Sequence, residues 1–255
     1  MDASNKLVKT VDLLLDIASL LMVSGANTNR VNLSINRFAS ALHYSTSCFI
    51  SHRSIIITVY EDGTTLSCTR VKNIPPYAIN FSIISAVSKA SWNAIEERWT
   101  LEHIATTIER IKNQNRYPKF IVLLAVSMAG AGFCNIFNGD YINMGVAFVS
   151  TFNGLLVFQL THKEKYNVYL RIFAASLVAS ILASLGIVFN LGTNPETALA
   201  TSILFLVPGV ALINSFTDFL DNNIINGMVR FTTGLMTVLA IALGLFIAMA
   251  LFQFN

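Results

Sequence analysis

The chain has 255 residues, is 54% hydrophobic and only 12% charged, and has a mean hydropathy of +0.60. Soluble domains carry roughly 25% charged residues, so this composition excludes a protein held wholly in water. A net charge of +3 without any Lys/Arg run gives no reason to expect nucleic acid as a partner.

The charge is unevenly spread. Residues 1–118 hold 12 Lys/Arg and 9 Asp/Glu, and residues 119–255 hold 5 of each. The chain therefore reads as a polar α+β domain over 1–117 followed by an all-α membrane domain over 118–255. Cys48, Cys68 and Cys134 have no paired spacing and fit a reducing compartment.

Near the N-terminus, "VDLLLDIASLLMVSGA" is interrupted by Asp12 and Asp16 and lacks a short basic leader, so it predicts a buried or amphipathic helix over about 5–24 rather than a signal peptide. Gly25 caps its C-terminus. Asn27 or Thr28 starts a second helix that places Val31, Ile35, Phe38, Ala39 and Leu42 on one face. "RSIIITVYEDGTTLSCTRV" predicts a β-hairpin turning at Asp62-Gly63, with a further strand around "TSCFIS". Helical periodicity returns over 77–92 and 100–113.

Beyond "NRYPKF" five apolar segments follow, at about 119–137, 141–160, 168–190, 196–217 and 228–253. Each is near the roughly 20 residues that cross hydrocarbon. Arg110, Lys112, Arg116 and Lys119 precede the first, Lys163, Lys165 and Arg171 flank the second loop, and Arg230 follows the fourth, whereas "NGDY" and "LGTNPE" have neither Lys nor Arg. The positive-inside rule then puts the polar domain in the cytoplasm and the C-terminus outside.

The polar domain offers little chemistry. His43, His52, His103 and His162 are scattered without metal-site spacing, Cys48 or Ser54 beside His52 makes a poor nucleophile–base pair, and no glycine loop cradles a phosphate. No cofactor or metal is expected, and the domain reads as a regulatory, gating or assembly module; a membrane-anchored sensor or hydrolase is the alternative. In the first apolar segment Gly130 and Gly132 permit close helix packing or line a pore. Asn135, Asn138 and Asp140 either solvate the interface or line an outward mouth.

The fourth segment departs most from a plain membrane helix. In a helix from about Thr197 to Phe219, Pro208 removes the N–H that the Leu204 carbonyl would bond, and an unpaired backbone group in hydrocarbon costs several kcal/mol. Asn214, Asp218 and Asp221 recur at i, i+4 and i+7 on one face. A kink and a polar stripe together make a path from mid-membrane to cytoplasm, as in transporters; an ordinary kink with aspartates in interfacial water is the plainer reading.

Four stretches, "GANTNRVNLSINRFASAL", "TVYEDGTTLSCTR", "AGAGFCNIFNGD" and "LVPGVALINSFTDFLDNNIINGMVR", resemble the N-terminal half of the threonine/serine exporter family. Length and segment order are closest to the YjjP-type subunit of a two-component exporter. The resemblance implies a cytoplasmic α+β domain and five transmembrane helices in a bacterial inner membrane. It also implies secondary efflux of threonine and serine in fused members and of dicarboxylates such as succinate in the split type. Carried over by position, the motif residues are Gly25, Thr28, Arg30, Arg70, Gly139, Asp140, Pro208, Gly209, Asn214, Asp218, Gly227 and Arg230. Pro208, Gly209, Asn214 and Asp218 are implied to shape the substrate path, with Asp140 toward its outer end. Arg230 pairs with Asp218 or attracts an anion. Gly25, Thr28, Arg30 and Arg70 form the motif of the cytoplasmic domain, where the two arginines join that domain together. Fused members carry a second membrane half, so the expected partner is a separate small membrane subunit; self-assembly is the other way to complete the transporter.

Overall fold

The computed structural model describes residues 3–252 apart from 62, 64–65, 77–78, 115–116 and 163–165. The chain forms two compact units: Met1–Asn115 with Val210–Phe231, and Arg116–Gly209 with Thr232–Asn255.

The first unit opens with helix α1, Ala3–Val23, whose Val11, Leu14, Ile17, Ala18, Leu21 and Met22 are fully buried. Gly25 ends it in the left-handed region, at φ +91°, where a side chain would be strained. Its N–H donates to Met22 O and that of Ala26 to Leu21 O, so these two carbonyls at the end of α1 are satisfied. Asn27 then caps α2, Thr28–Ala41, by accepting from the Arg30 N–H.

Strands β1 (Tyr44–Ile50), β2 (Ser54–Glu61) and β3 (Ser67–Asn73) form an antiparallel meander in that order. Ile55, Ile57 and Val59 alternate inward from β2 onto α1, which explains the β-branched run. The outer side of α1 bears Asp12 and Asp16, which meet Arg70 (3.9 Å) and Lys72 of β3. Gly63, at φ +81°, lies in the expected hairpin turn, but Asp62 lies outside the described residues.

Helices α3 (Phe81–Glu96) and α4 (Leu101–Lys112) complete the core. α3 starts later than residue 77 because Asn80, after the Pro75-Pro76 pair, accepts from the N–H groups of Ser82 and Ile83 and fixes the helix start. The unit is closed by α9, Gly209–Leu220, and the first turns of α10, Ile224–Leu251.

The second unit contains α5 (Lys119–Ile136), α6 (Tyr141–Leu160), α7 (Val168–Val188), α8 (Pro195–Ser202) and the remainder of α10. α6 and α7 run antiparallel, because Gly154 lies against Ala175 and Ala179 while Gly186 lies against Val146. Small residues let these backbones approach closely, which is how apolar helices associate without a hydrophobic drive between them. α5, α6, α7 and α10 are long and apolar enough to cross a membrane, and a fifth span results if the α8 and α9 stretches are counted together. Lys163, Lys165 and Arg116, which helped to orient the segments, lie outside the described residues.

The single helix expected from about Thr197 to Phe219 is interrupted. α8 ends at Ser202, a 3-10 turn covers Leu204–Leu206, and Val207 is extended before α9 begins at Gly209. The Leu204 carbonyl that Pro208 deprives of a helical partner instead accepts from the Val207 N–H at 3.1 Å. The turn answers the missing N–H locally, so the chain breaks rather than merely bends.

Candidate functional site

The turn between α1 and α2 leaves polar backbone groups that α1 and α2 cannot satisfy, and residues nearly 200 positions later satisfy them. Asp218 Oδ1 accepts from the Thr28 N–H at 2.9 Å, adding a carboxylate to a helix N-terminus, where the dipole favours it. Asn214 donates to Gly25 O at 2.7 Å, and the Arg230 guanidinium donates to Ala26 O at 2.9 Å. Arg230 Nε also lies 3.0 Å from Asp218 Oδ2, an ion-pair distance without hydrogen-bond alignment. Asp218 is fully buried, Arg230 is 6% exposed, and they are the only buried charged side chains among the described residues.

The spacing of α9 and α10 accounts for this convergence. Asn214 and Asp218 lie four apart on α9, Asn226 and Arg230 four apart on α10, so each helix presents two polar groups on one face. The two helices are held together where Ser215 donates to Gly227 O at 2.8 Å. A Cβ on Gly227 would lie 2.7 Å from the Phe219 ring and 3.0 Å from Ser215 O, so only glycine allows that approach.

Gly25, Thr28, Asn214, Asp218 and Arg230 thus form one cluster, buried except for the half-buried Asn214, although the sequence divides them between a domain motif and a path. Asp221 is exposed, so the third member of the expected polar stripe is not in the cluster. Asn226 was not singled out from the sequence, yet it is buried and donates to Thr28 Oγ1 (3.2 Å) and Ile50 O (2.8 Å). Its place one helical turn before Arg230 was the available signal. Arg30 is exposed on α2, and Arg70 meets Asp12 at the surface. Pro208 and Gly209 sit at the break before α9, and a Cβ on Gly209 would meet nothing within 4 Å beyond its chain neighbours and its own helix backbone.

Asp140 belongs to a different polar cluster, inside the second unit. It caps α6 by accepting from the Asn143 N–H and also accepts from the Thr193 N–H, each at 2.8 Å. These bonds, the Asn143 one foremost, hold its carboxyl below the usual carboxylate range. Asn143, likewise missed from the sequence, is fully buried; it donates to Leu191 O and accepts from the Asn194 N–H. Gly192, at φ +81°, lets the loop approach so closely that a Cβ there would sit 2.6 Å from Asp140 Oδ1.

The remaining titratable groups near the first cluster are poorly suited to covalent chemistry. Burial pushes the Cys48 thiol up to about 12, so it stays protonated at neutral pH. Burial first, then the charges of Arg230 and Arg53, hold His52 below its ordinary value. No metal-binding group of His, Cys, Asp or Glu occurs among the described residues.

Among the described residues, four helices long and apolar enough to cross a membrane, or five if the α8–α9 stretch counts as one span, mark an integral membrane protein. A family model described as "Putative threonine/serine exporter" matches residues 12–252, and the chain belongs to that family, the one its four motifs resemble. It is 27% identical over 244 residues to the "Probable succinate transporter subunit YjjP" of Klebsiella aerogenes, covering 94% of this chain and 92% of that one. The protein of the same name from Escherichia coli K12 is 27% identical over 236 residues, 91% of this chain and 90% of that one. The "Threonine/serine exporter" of Corynebacterium glutamicum is 22% identical over 227 residues, which is 84% of this chain but 45% of that protein. No solved structure matches.

Proposed function

We propose that the chain is one subunit of a secondary exporter that moves a small polar metabolite, threonine, serine or a dicarboxylate such as succinate, outward across a bacterial inner membrane. Transport, rather than catalysis, is its activity, and its α+β domain over residues 1–117 is cytoplasmic. In this reading the broken α8–α9 stretch counts as one of five spans, and the C-terminus lies outside. The partner is a second, wholly membrane-embedded subunit; two relatives covered over nine-tenths of their length are themselves named subunits.

The observation that carries the reading is the Asp218–Arg230 pair. In a chain of the exporter family, these are the only charges buried among the described residues, and Asp218 lies in the helix that begins at the Pro208–Gly209 break. Buried charge near a discontinuous helix is where transporters handle polar cargo. A cargo carboxylate would compete with Asp218 for Arg230, and Asn214 would offer a neutral hydrogen-bonding group one turn away. Asp140 would brace the outer loops of the path rather than touch cargo.

Uptake of radiolabelled succinate, threonine and serine into inverted membrane vesicles tests this. Vesicles holding this chain and the candidate partner should accumulate at least one of them, and vesicles lacking either subunit should not. Equal uptake by vesicles lacking this chain would overturn the assignment.

A further inference from the structure

A cleft of about 310 Å³ lies between α2 and α3, and none of its lining residues belongs to the buried cluster. One wall is a single face of α2, with Arg30, Leu33 and Arg37 at i, i+3 and i+7. The other is Ser88 and Trp92, one turn apart on α3. None of the residues lining it is acidic. The Arg37 guanidinium lies 3.9 Å from the centroid of the Trp92 ring. A guanidinium over an aromatic face is held by the ring quadrupole and still has N–H groups to offer an oxyanion.

The spacing restricts what fits. Seven residues of helix separate the two arginine Cα atoms by roughly 10.5 Å, a spacing that suits two anionic groups better than one. Between them Leu33 is 46% exposed, and Trp92, whose ring lies against Arg37, is 51% exposed. Two cations flanking an apolar middle match a ligand with a carboxylate at each end and a short hydrocarbon between. A lone phosphate would engage one arginine and leave the apolar middle empty, and a monocarboxylate would satisfy only one end.

We propose that the α2–α3 cleft binds a small free dicarboxylate, with Arg30 and Arg37 each taking one carboxylate and Leu33 and Trp92 flanking the chain between them. This is a recognition site additional to the transport reading and does not depend on it.

The test is a titration of the purified full-length chain in uncharged detergent with succinate, butyrate and inorganic phosphate. Trp92 emission is followed in a Trp99→Phe background, and calorimetry on the unsubstituted chain serves as a second measurement free of that substitution. Succinate should give a saturable response, with butyrate and phosphate at least about tenfold weaker. Arg30→Gln and Arg37→Gln should each weaken succinate binding by about tenfold or more, the loss of a charge-assisted hydrogen-bonded pair. Equal binding of butyrate or phosphate, or succinate binding unchanged in both arginine variants, would overturn the proposal. So would a response seen only with vesicles of anionic lipid, since that would assign the cleft to a headgroup. The titration requires no flux, so transport lost with binding intact counts against the exporter reading alone, and binding absent with transport intact counts against this site alone.

Discussion

Asp218 and Arg230 depend on each other in a way that surface pairs such as Glu109–Lys112 do not. The surface pair is more than half exposed on both sides, and such pairs contribute about 0–1 kcal/mol. Removing one member of a buried pair leaves an uncompensated charge, at a cost of about 3–5 kcal/mol. Asp218→Asn should therefore lower the unfolding temperature in detergent as well as abolish export. Asp218→Leu combined with Arg230→Met should recover much of that thermal stability, because it removes both charges, yet leave export lost. Export retained by the double variant would confine the pair to a structural role. His52 supplies a pH dependence of defined sign. The folded chain holds its imidazole below the ordinary value of about 6.5, so protons bind the unfolded chain more readily. Its contribution is present above about pH 6.5 and is lost as the pH falls toward the lower folded value. Thermal unfolding should move to lower temperature on acidification below about pH 6.5, and His52→Gln should flatten that slope.

At the scale of elements, periodicity and turn chemistry carried most of the reading. The caps at Gly25 and Asn27, the alternation of Ile55, Ile57 and Val59, and the apolar runs of α5, α6 and α7 are all local signals, and each element stands where those signals put it. What was not legible is which partner each polar group finds. Pro208 announces an irregularity, but whether the helix bends or breaks depends on how the Leu204 carbonyl is re-satisfied, and that bond was not predictable from the residue. The cluster was hidden for the same reason: Asn214, Asp218 and Arg230 are visibly polar, but nothing in their spacing names the turn at residues 25–28 as their partner. Helix packing gives a sharp comparison between two glycines. A Cβ on Gly154 would meet the Ala179 Cβ at 2.8 Å and Ala175 O at 3.0 Å, whereas one on Gly132 meets nothing within 4 Å. Gly154→Ala should destabilise the α6–α7 contact by about 1–3 kcal/mol, the usual cost of overpacking. Gly132→Ala should be neutral or slightly stabilising in the same melting assay, since it improves helix propensity. Equal effects would show that α6 and α7 do not pack closely through Gly154.

For the whole molecule, orientation is the property that the proposed direction of transport requires. In a chain with Cys48, Cys68 and Cys134 replaced by serine or alanine, single cysteines are placed at the exposed positions Tyr141, Leu191 and Tyr166. Tyr141→Cys and Leu191→Cys should react with an impermeant thiol reagent added to whole cells. Tyr166→Cys should react only after the membrane is opened. The reverse pattern would invert the orientation and, with it, the placement of the α+β unit.

The cluster also sets a timetable for synthesis. Thr28 and its acceptor Asp218 are 190 residues apart in the chain, and a ribosome adding about 5–20 residues per second needs roughly 10–40 s to make that stretch. For that interval the Thr28 N–H and the carbonyls of Gly25 and Ala26 lack the side chains that satisfy them in the finished fold. The first 115 residues can collapse around their own apolar core, but the α1–α2 turn stays hydrated until α9 and the start of α10 have been made. Maturation of the α1–α2 turn is therefore tied to a segment translated about 190 residues later, and a chain stalled before residue 230 leaves the ribosome with that turn still open to water.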